Sequence, residues 1–142
     1  MQKIENLGFQ GDISFLKVDA YVKEALKRLF NVDVDAVIND ASKKIVHACT
    51  GKDAADGGLH PEKGLVLAQG ESRAHYHAFR DPSKVDVFEA TNDNTRIRLV
   101  VVKNLLPIEH EEHKPIAFDP EIYVQGFQYE YDYADEYRRL AD

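Results

Sequence analysis

The stretch VDVFEATNDNTRIRLVVV, Val85 to Val102, decides the fold class. VDVFEA and RIRLVVV are rich in β-branched and aromatic residues, and the turn-forming TNDNT between them lets the chain reverse, so the stretch reads as a β-hairpin. Its neighbours repeat the theme. LVLAQ (Leu65 to Gln69) is an apolar strand, RAHYHAF (Arg73 to Phe79) alternates, KPIAF (Lys114 to Phe118) follows a proline-bounded loop, and EIYVQGFQYEY (Glu121 to Tyr131) reads as one long last strand. Several short antiparallel strands at this spacing predict a mainly β fold, an antiparallel sandwich or a barrel. In the last strand Tyr123, Phe127, Tyr129 and Tyr131 fall on one face, which reads as an aromatic core.

Upstream of Gly64 the pattern changes. GDISFLKV (Gly11 to Val18) alternates, with Ile13, Phe15 and Lys17 on one side and Ser14, Leu16 and Val18 on the other, as a strand after a Gly turn would. Asp19 then offers an N-cap to AYVKEALKRLF, an amphipathic helix ending at Asn31, whose Tyr21, Ala25 and Leu29 interleave with Val22, Leu26 and Phe30 as core-packing residues. KKIVHAC (Lys43 to Cys49) is either a strand or the end of a helix running from Asp35, because short apolar runs are ambiguous by period alone. TGKDAADGGLHPEKG (Thr50 to Gly64) reads as a loop. Residues 19–62 thus read as a helical and loop insertion in one β-rich domain spanning 1–142. At the far end, Asp132 caps a short C-terminal helix whose apolar stripe is Tyr133, Tyr137 and Leu140.

Bulk composition excludes several classes. A formal charge of −7, from 25 acidic and 18 basic residues, leaves scattered pairs such as Lys27-Arg28 and Arg138-Arg139 but no basic run, so no nucleic-acid partner is expected. One cysteine, Cys49, rules out an intrachain disulfide and a Cys-rich zinc cluster. No window approaches ~18 apolar residues and the N-terminus lacks the pattern of a signal peptide, so the expectation is a soluble protein without a membrane partner.

The chemistry sits in the histidines. Four of the six form two close pairs, His75/His77 and His110/His113, each beside acidic residues. On a strand, residues i and i+2 share a face with β-carbons ~7 Å apart, near enough for both imidazoles to reach one ion. A third ligand must come from a neighbouring strand. In PIEHEEHKPI a spacing of three puts His110 and His113 together only on a helical turn, and Pro115 pushes Lys114 toward extended backbone, so His110 ranks above His113. Glu71, Asp81, Glu109, Glu111 and Glu112 could add an oxygen ligand or orient an imidazole. Such a set suits a divalent transition metal ion (Zn, Fe, Mn, Ni or Cu), with a metal-free polar pocket or a structural role as the alternatives. His47 and Cys49 form a further i, i+2 pair that reads as a small buried Cys in a strand. No phosphate loop, nucleophile elbow or dinucleotide fingerprint is present.

GESRAHYHAF resembles the first metal motif of the cupin superfamily, a Gly followed by His-x-His and later a Glu. Gly70, His75 and His77 match in type, with Asp81 near the place of the Glu. Pro107 and His110 match the second motif without its Gly. This resemblance implies a cupin-like barrel and a site mapping onto His75, His77, His110 and Asp81 or Glu71. A fuller resemblance is to a group of small bacteriophage and bacterial proteins, carried by QGDISF, LAQGESRAHYH, HEEHKPIAF and QYEYDY over nearly the whole chain. It implies a phage-type protein, structural or binding, such as a virion accessory, in the host cytoplasm or the virion. Its partners would be copies of itself or another phage structural protein. A cupin-like metal-dependent enzyme acting on a small molecule is the alternative.

Overall fold

The computed structural model describes residues 2–3, 6–10, 13–49, 57–69, 76–92, 95–104, 106–108, 116–127, 129–131 and 137–139. The hairpin forms as expected, from β7 (Val85–Asn92) and β8 (Thr95–Val102), in register from Val85 opposite Val102 to Asn92 opposite Thr95. They are two strands of a five-stranded antiparallel sheet ordered β2 (Leu7–Gln10), β3 (Ile13–Lys17), β11 (Ile122–Phe127), β8, β7. Register fixes what each face carries, because side chains alternate with period two. Phe15 lies opposite Gln125, Gln125 opposite Arg98, and Tyr123 opposite Val100.

One face therefore presents Ile13, Phe15, Val85, Val87, Val100, Val102 and Tyr123. These join Leu65, Leu67 and Phe79 of a three-stranded sheet, β4 (Gly58–His60), β5 (Gly64–Gln69) and β6 (Tyr76–Phe79), in the largest core cluster. Ile108 and Phe118 reach the same core from a third sheet, in which β10 (Ile116–Phe118) pairs antiparallel with β9 (Leu106–Ile108) and parallel with β1 (Gln2–Lys3). Phe118 is the hub. Its ring meets Phe15, Tyr123 and Phe79 edge-on at centroid distances of 4.7, 4.9 and 5.3 Å, so one side chain ties all three sheets. Tyr123 is fully buried, and burial, with the Asp119 charge, pushes its hydroxyl up to about 12 while it donates to the Asp119 carbonyl at 3.1 Å. Among the described residues the strands close no barrel, since the five-stranded order ends at β2 and β7.

The opposite face of that sheet is covered by helix. In α1 (Ala20–Phe30) Asp19 accepts from the Val22 N–H at 2.8 Å, and Asn31 ends the helix in the left-handed region at φ 54°. A second short helix, α2 (Val34–Ile38), follows. Leu26, Val32, Val34 and Val37 bury against Phe88, Ala90 and Leu99, so α1 and α2 supply one wall of the molecule. The buried stripe is narrower than the sequence spacing implies: Tyr21 is 76% and Leu29 66% exposed, because α1 packs its Val22 and Leu26 side chains against the sheet.

KKIVHAC is neither a regular strand nor a helix end. After a 3-10 turn (Ala41–Lys43), Lys44 bridges Phe88 and Ala48 bridges Leu59, so the segment straps the edge of the five-stranded sheet to β4. The expected loop contains β4. The long last strand is two strands, and the expected C-terminal helix is corrected over Tyr137–Arg139: this is β13, paired antiparallel with β12 (Tyr129–Tyr131). The Tyr131–Tyr137 pairing satisfies β-favouring aromatics that the helical spacing had claimed. No helix among the described residues is long and apolar enough to cross a membrane.

Candidate functional site

His77 enters the core through ordinary alternation. It lies two residues before Phe79 on β6, shares that residue's inward face and is completely buried. Its Nδ1 is 2.9 Å from Oε1 of Gln10, at the end of β2, while Gln10 Nε2 donates to the Ile108 carbonyl at 3.2 Å. The second bond settles the first. A carbonyl only accepts, so the amide NH2 must face Ile108 and Oε1 must face His77. In the neutral ring Nδ1 therefore carries the proton and Nε2 the lone pair, the arrangement that metal-binding imidazoles adopt.

The same bridge joins two ends of the fold. The chain leaves β5 at Gln69 and enters β6 at Tyr76, and it leaves β9 at Ile108 and enters β10 at Ile116. Gln10 ties the start of β6 to the end of β9, so the connections 70–75 and 109–115 depart from neighbouring points. His75, Glu71, His110, His113, Glu109, Glu111 and Glu112 lie on those connections, outside the described residues.

Asp81 lies beyond the opposite end of β6. It is exposed and caps the 3-10 turn Pro82–Lys84, accepting from the Ser83 N–H at 3.1 Å and its hydroxyl at 2.6 Å; these bonds hold its carboxyl below the usual value. His60 is the last residue of β4, and its Nδ1 accepts from the Glu62 and Lys63 N–H groups of the turn that follows. His47 Nε2 lies 3.2 Å from the Gly57 carbonyl, and Cys49 is buried with Val66 and Ala78 on the outward face of β5 and β6. Among the described residues no three His, Cys, Asp or Glu side chains are grouped to hold a metal ion.

Sequence reasoning missed a second polar group in the interlayer. β5 and β6 slip register between Val66 and Ala68, and this bulge turns the Leu67 carbonyl toward the five-stranded sheet, where Arg98 Nη1 donates to it. Arg98 Nε donates to Glu89 Oε2 at 3.0 Å, as does Arg96 Nη2. Burial pushes the Glu89 carboxyl up, but the bonds and charges of Arg96 and Arg98 outweigh it and hold it below its usual 4.5. The signal was legible: Arg98 occupies an inward place in the alternation with Val100 and Val102. The described recesses lie elsewhere, a cleft of about 470 Å³ beside α1 and α2 and a groove of about 280 Å³ under the strap, lined by Ile45, Val46, Leu59 and Leu65 among others.

A family profile described as Domain of unknown function (DUF8820) matches residues 9–128. The chain belongs to the DUF8820 family. No curated protein and no solved structure matches it. The DUF8820 span runs from Phe9 in β2 to the residue after β11. It contains Gln10, His77, Arg98 and Gln125 together with His75, His110 and His113, and it leaves out β1, β12 and β13.

Proposed function

We propose that this DUF8820 protein binds one divalent transition metal ion where β2, β6 and β9 meet, and that the ion makes it a structural or binding protein rather than an enzyme. His77 is a ligand through Nε2, His75 and His110 complete the imidazole set with His113 as the substitute for His110, and Glu71 stands ready as an oxygen ligand. Asp81 drops out of the ligand set, since it caps a turn at the other end of β6. The observation that carries the reading is the Gln10 amide. It orients the His77 ring with Nδ1 protonated, and it ties that ring to the strand end from which the His110 segment departs. The phage-type, virion-associated setting implied by the motif resemblance belongs to this proposal, with the sheets read as an open sandwich and not a cupin barrel. A structural ion closed by four protein ligands fits that role, whereas catalysis needs an open position and a substrate cavity.

The test is elemental analysis of the purified protein and of single variants. About one equivalent of metal is expected in the native chain, lost in His75→Ala and in His110→Ala, and kept in His60→Ala, whose ring caps a turn and lies against Tyr76. His77→Ala also empties the core, so His75→Ala and His110→Ala carry the decision. A metal-free native protein, or equal metal in all variants, defeats the proposal and leaves His77 a core histidine held by Gln10.

A further inference from the structure

Gln125 carries an unmatched donor inside the molecule. It sits on the interlayer face of β11, between Phe15 on β3 and Arg98 on β8, and is 6% exposed. Its Oε1 lies 3.4 Å from Arg98 Nη1, as the acceptor, and among the described residues its Nε2 has no hydrogen-bond partner. Flipping the amide does not relieve this. It would turn the NH2 toward the guanidinium, donor against donor, and would strip Arg98 of an acceptor. Buried side-chain donors are almost always met, by protein or by an ordered water, because a bare one keeps its desolvation cost with nothing in return.

We propose that Gln125 Nε2 marks a ligand site between the sheets that takes a single oxygen acceptor. The chemistry is that of an oxygen lone pair placed against an amide N–H with a buried guanidinium alongside; Arg98 is only 8% exposed. Two sources supply such an oxygen: a buried water, or the carboxylate of an acid as small as formate or acetate. A cation or an apolar ligand is excluded by the two donors, and the Arg98 charge favours oxygen carrying negative charge. The site is independent of the metal proposal, since it uses neither His77 nor either histidine-bearing segment.

The experiment observes the Gln125 side-chain amide directly in 15N-labelled protein, assigned by its disappearance in Gln125→Met. A strong exchange-independent cross-peak to water at this NH2 identifies a held water. A saturable shift of the same signal on adding formate or acetate, with chloride as the control, identifies a carboxylate. In either case Gln125→Met lowers Tm, since it removes a satisfied donor. Gln125→Glu separates the two sources again: a water turns a hydrogen toward the new oxygen and Tm is kept, while a carboxylate is repelled and its titration is lost. No water cross-peak, no response to either acid and a Tm raised by Gln125→Met would show a bare donor and overturn the proposal.

Discussion

Arg98 places a guanidinium among Val100, Val102 and Tyr123, where an uncompensated charge would be strongly destabilising. It is kept because three elements converge on it: the Glu89 carboxylate across the hairpin, the Gln125 amide on the other flanking strand and the Leu67 carbonyl from the facing sheet. Charge-assisted hydrogen bonds of this kind contribute ~1.5–3 kcal/mol each. Arg98→Met keeps much of the volume and removes them, so urea unfolding at pH 7 should show a loss of about 2–3 kcal/mol. The pH dependence has a definite sign. Glu89 is held below its usual 4.5, so its contribution is complete above that value and is lost as pH falls through the lower folded-state value. The gap between wild type and Arg98→Met should therefore narrow as the pH is taken from neutrality to below 4.5. A gap that stays constant across that range would mean the Glu89 pair contributes nothing. At this scale the alternation made Arg98's inward position readable, but Gln125 and Leu67 as its partners come from strands far away in the chain.

Among the elements, α1 was readable nearly residue by residue, since its caps, Asp19 and Asn31, are local chemistry. What escaped was which stripe of α1 meets the sheet, a matter of docking angle and not of period. The C-terminal segment failed for the opposite reason: Tyr133, Tyr137 and Leu140 are spaced for a helix, yet Tyr137 found a strand partner in Tyr131. β5 begins at a glycine with φ +87°, and a β-carbon there would lie 2.2 Å from the Phe79 carbonyl oxygen. Gly64→Ala thus combines a left-handed backbone with a clash against β6, and a destabilisation of about 1–3 kcal/mol or more is expected by denaturant unfolding. A change under about 0.5 kcal/mol would show that the β4–β5 turn relaxes freely.

At the scale of the whole molecule, among the described residues α1 and α2 cover one sheet face on the side of β7, β8 and β11. Toward the other edge, Leu7 lies opposite Leu16, and Leu7 and Phe9 on the outermost strand β2 are 53% and 48% exposed. Exposed apolar residues on an edge strand favour pairing with another strand. Within the proposed structural role, the expected partner is a second copy. Light scattering across a concentration series should show association that weakens in Phe9→Lys. A chain that remains monomeric at every concentration would remove self-association from the proposal.

The sequence by itself determined the β class, the hairpin and α1 with both caps, because each rests on a period or a cap read within a few residues. Only the tertiary structure decided that three sheets meet at Phe118, that a strap replaces the strand or helix end expected at Lys43 to Cys49, and that Gln10 holds the His77 ring. Those outcomes depend on which strands become neighbours. Strand neighbourhood is set by burying the faces of all the sheets at once, a condition on the whole chain that no local period contains.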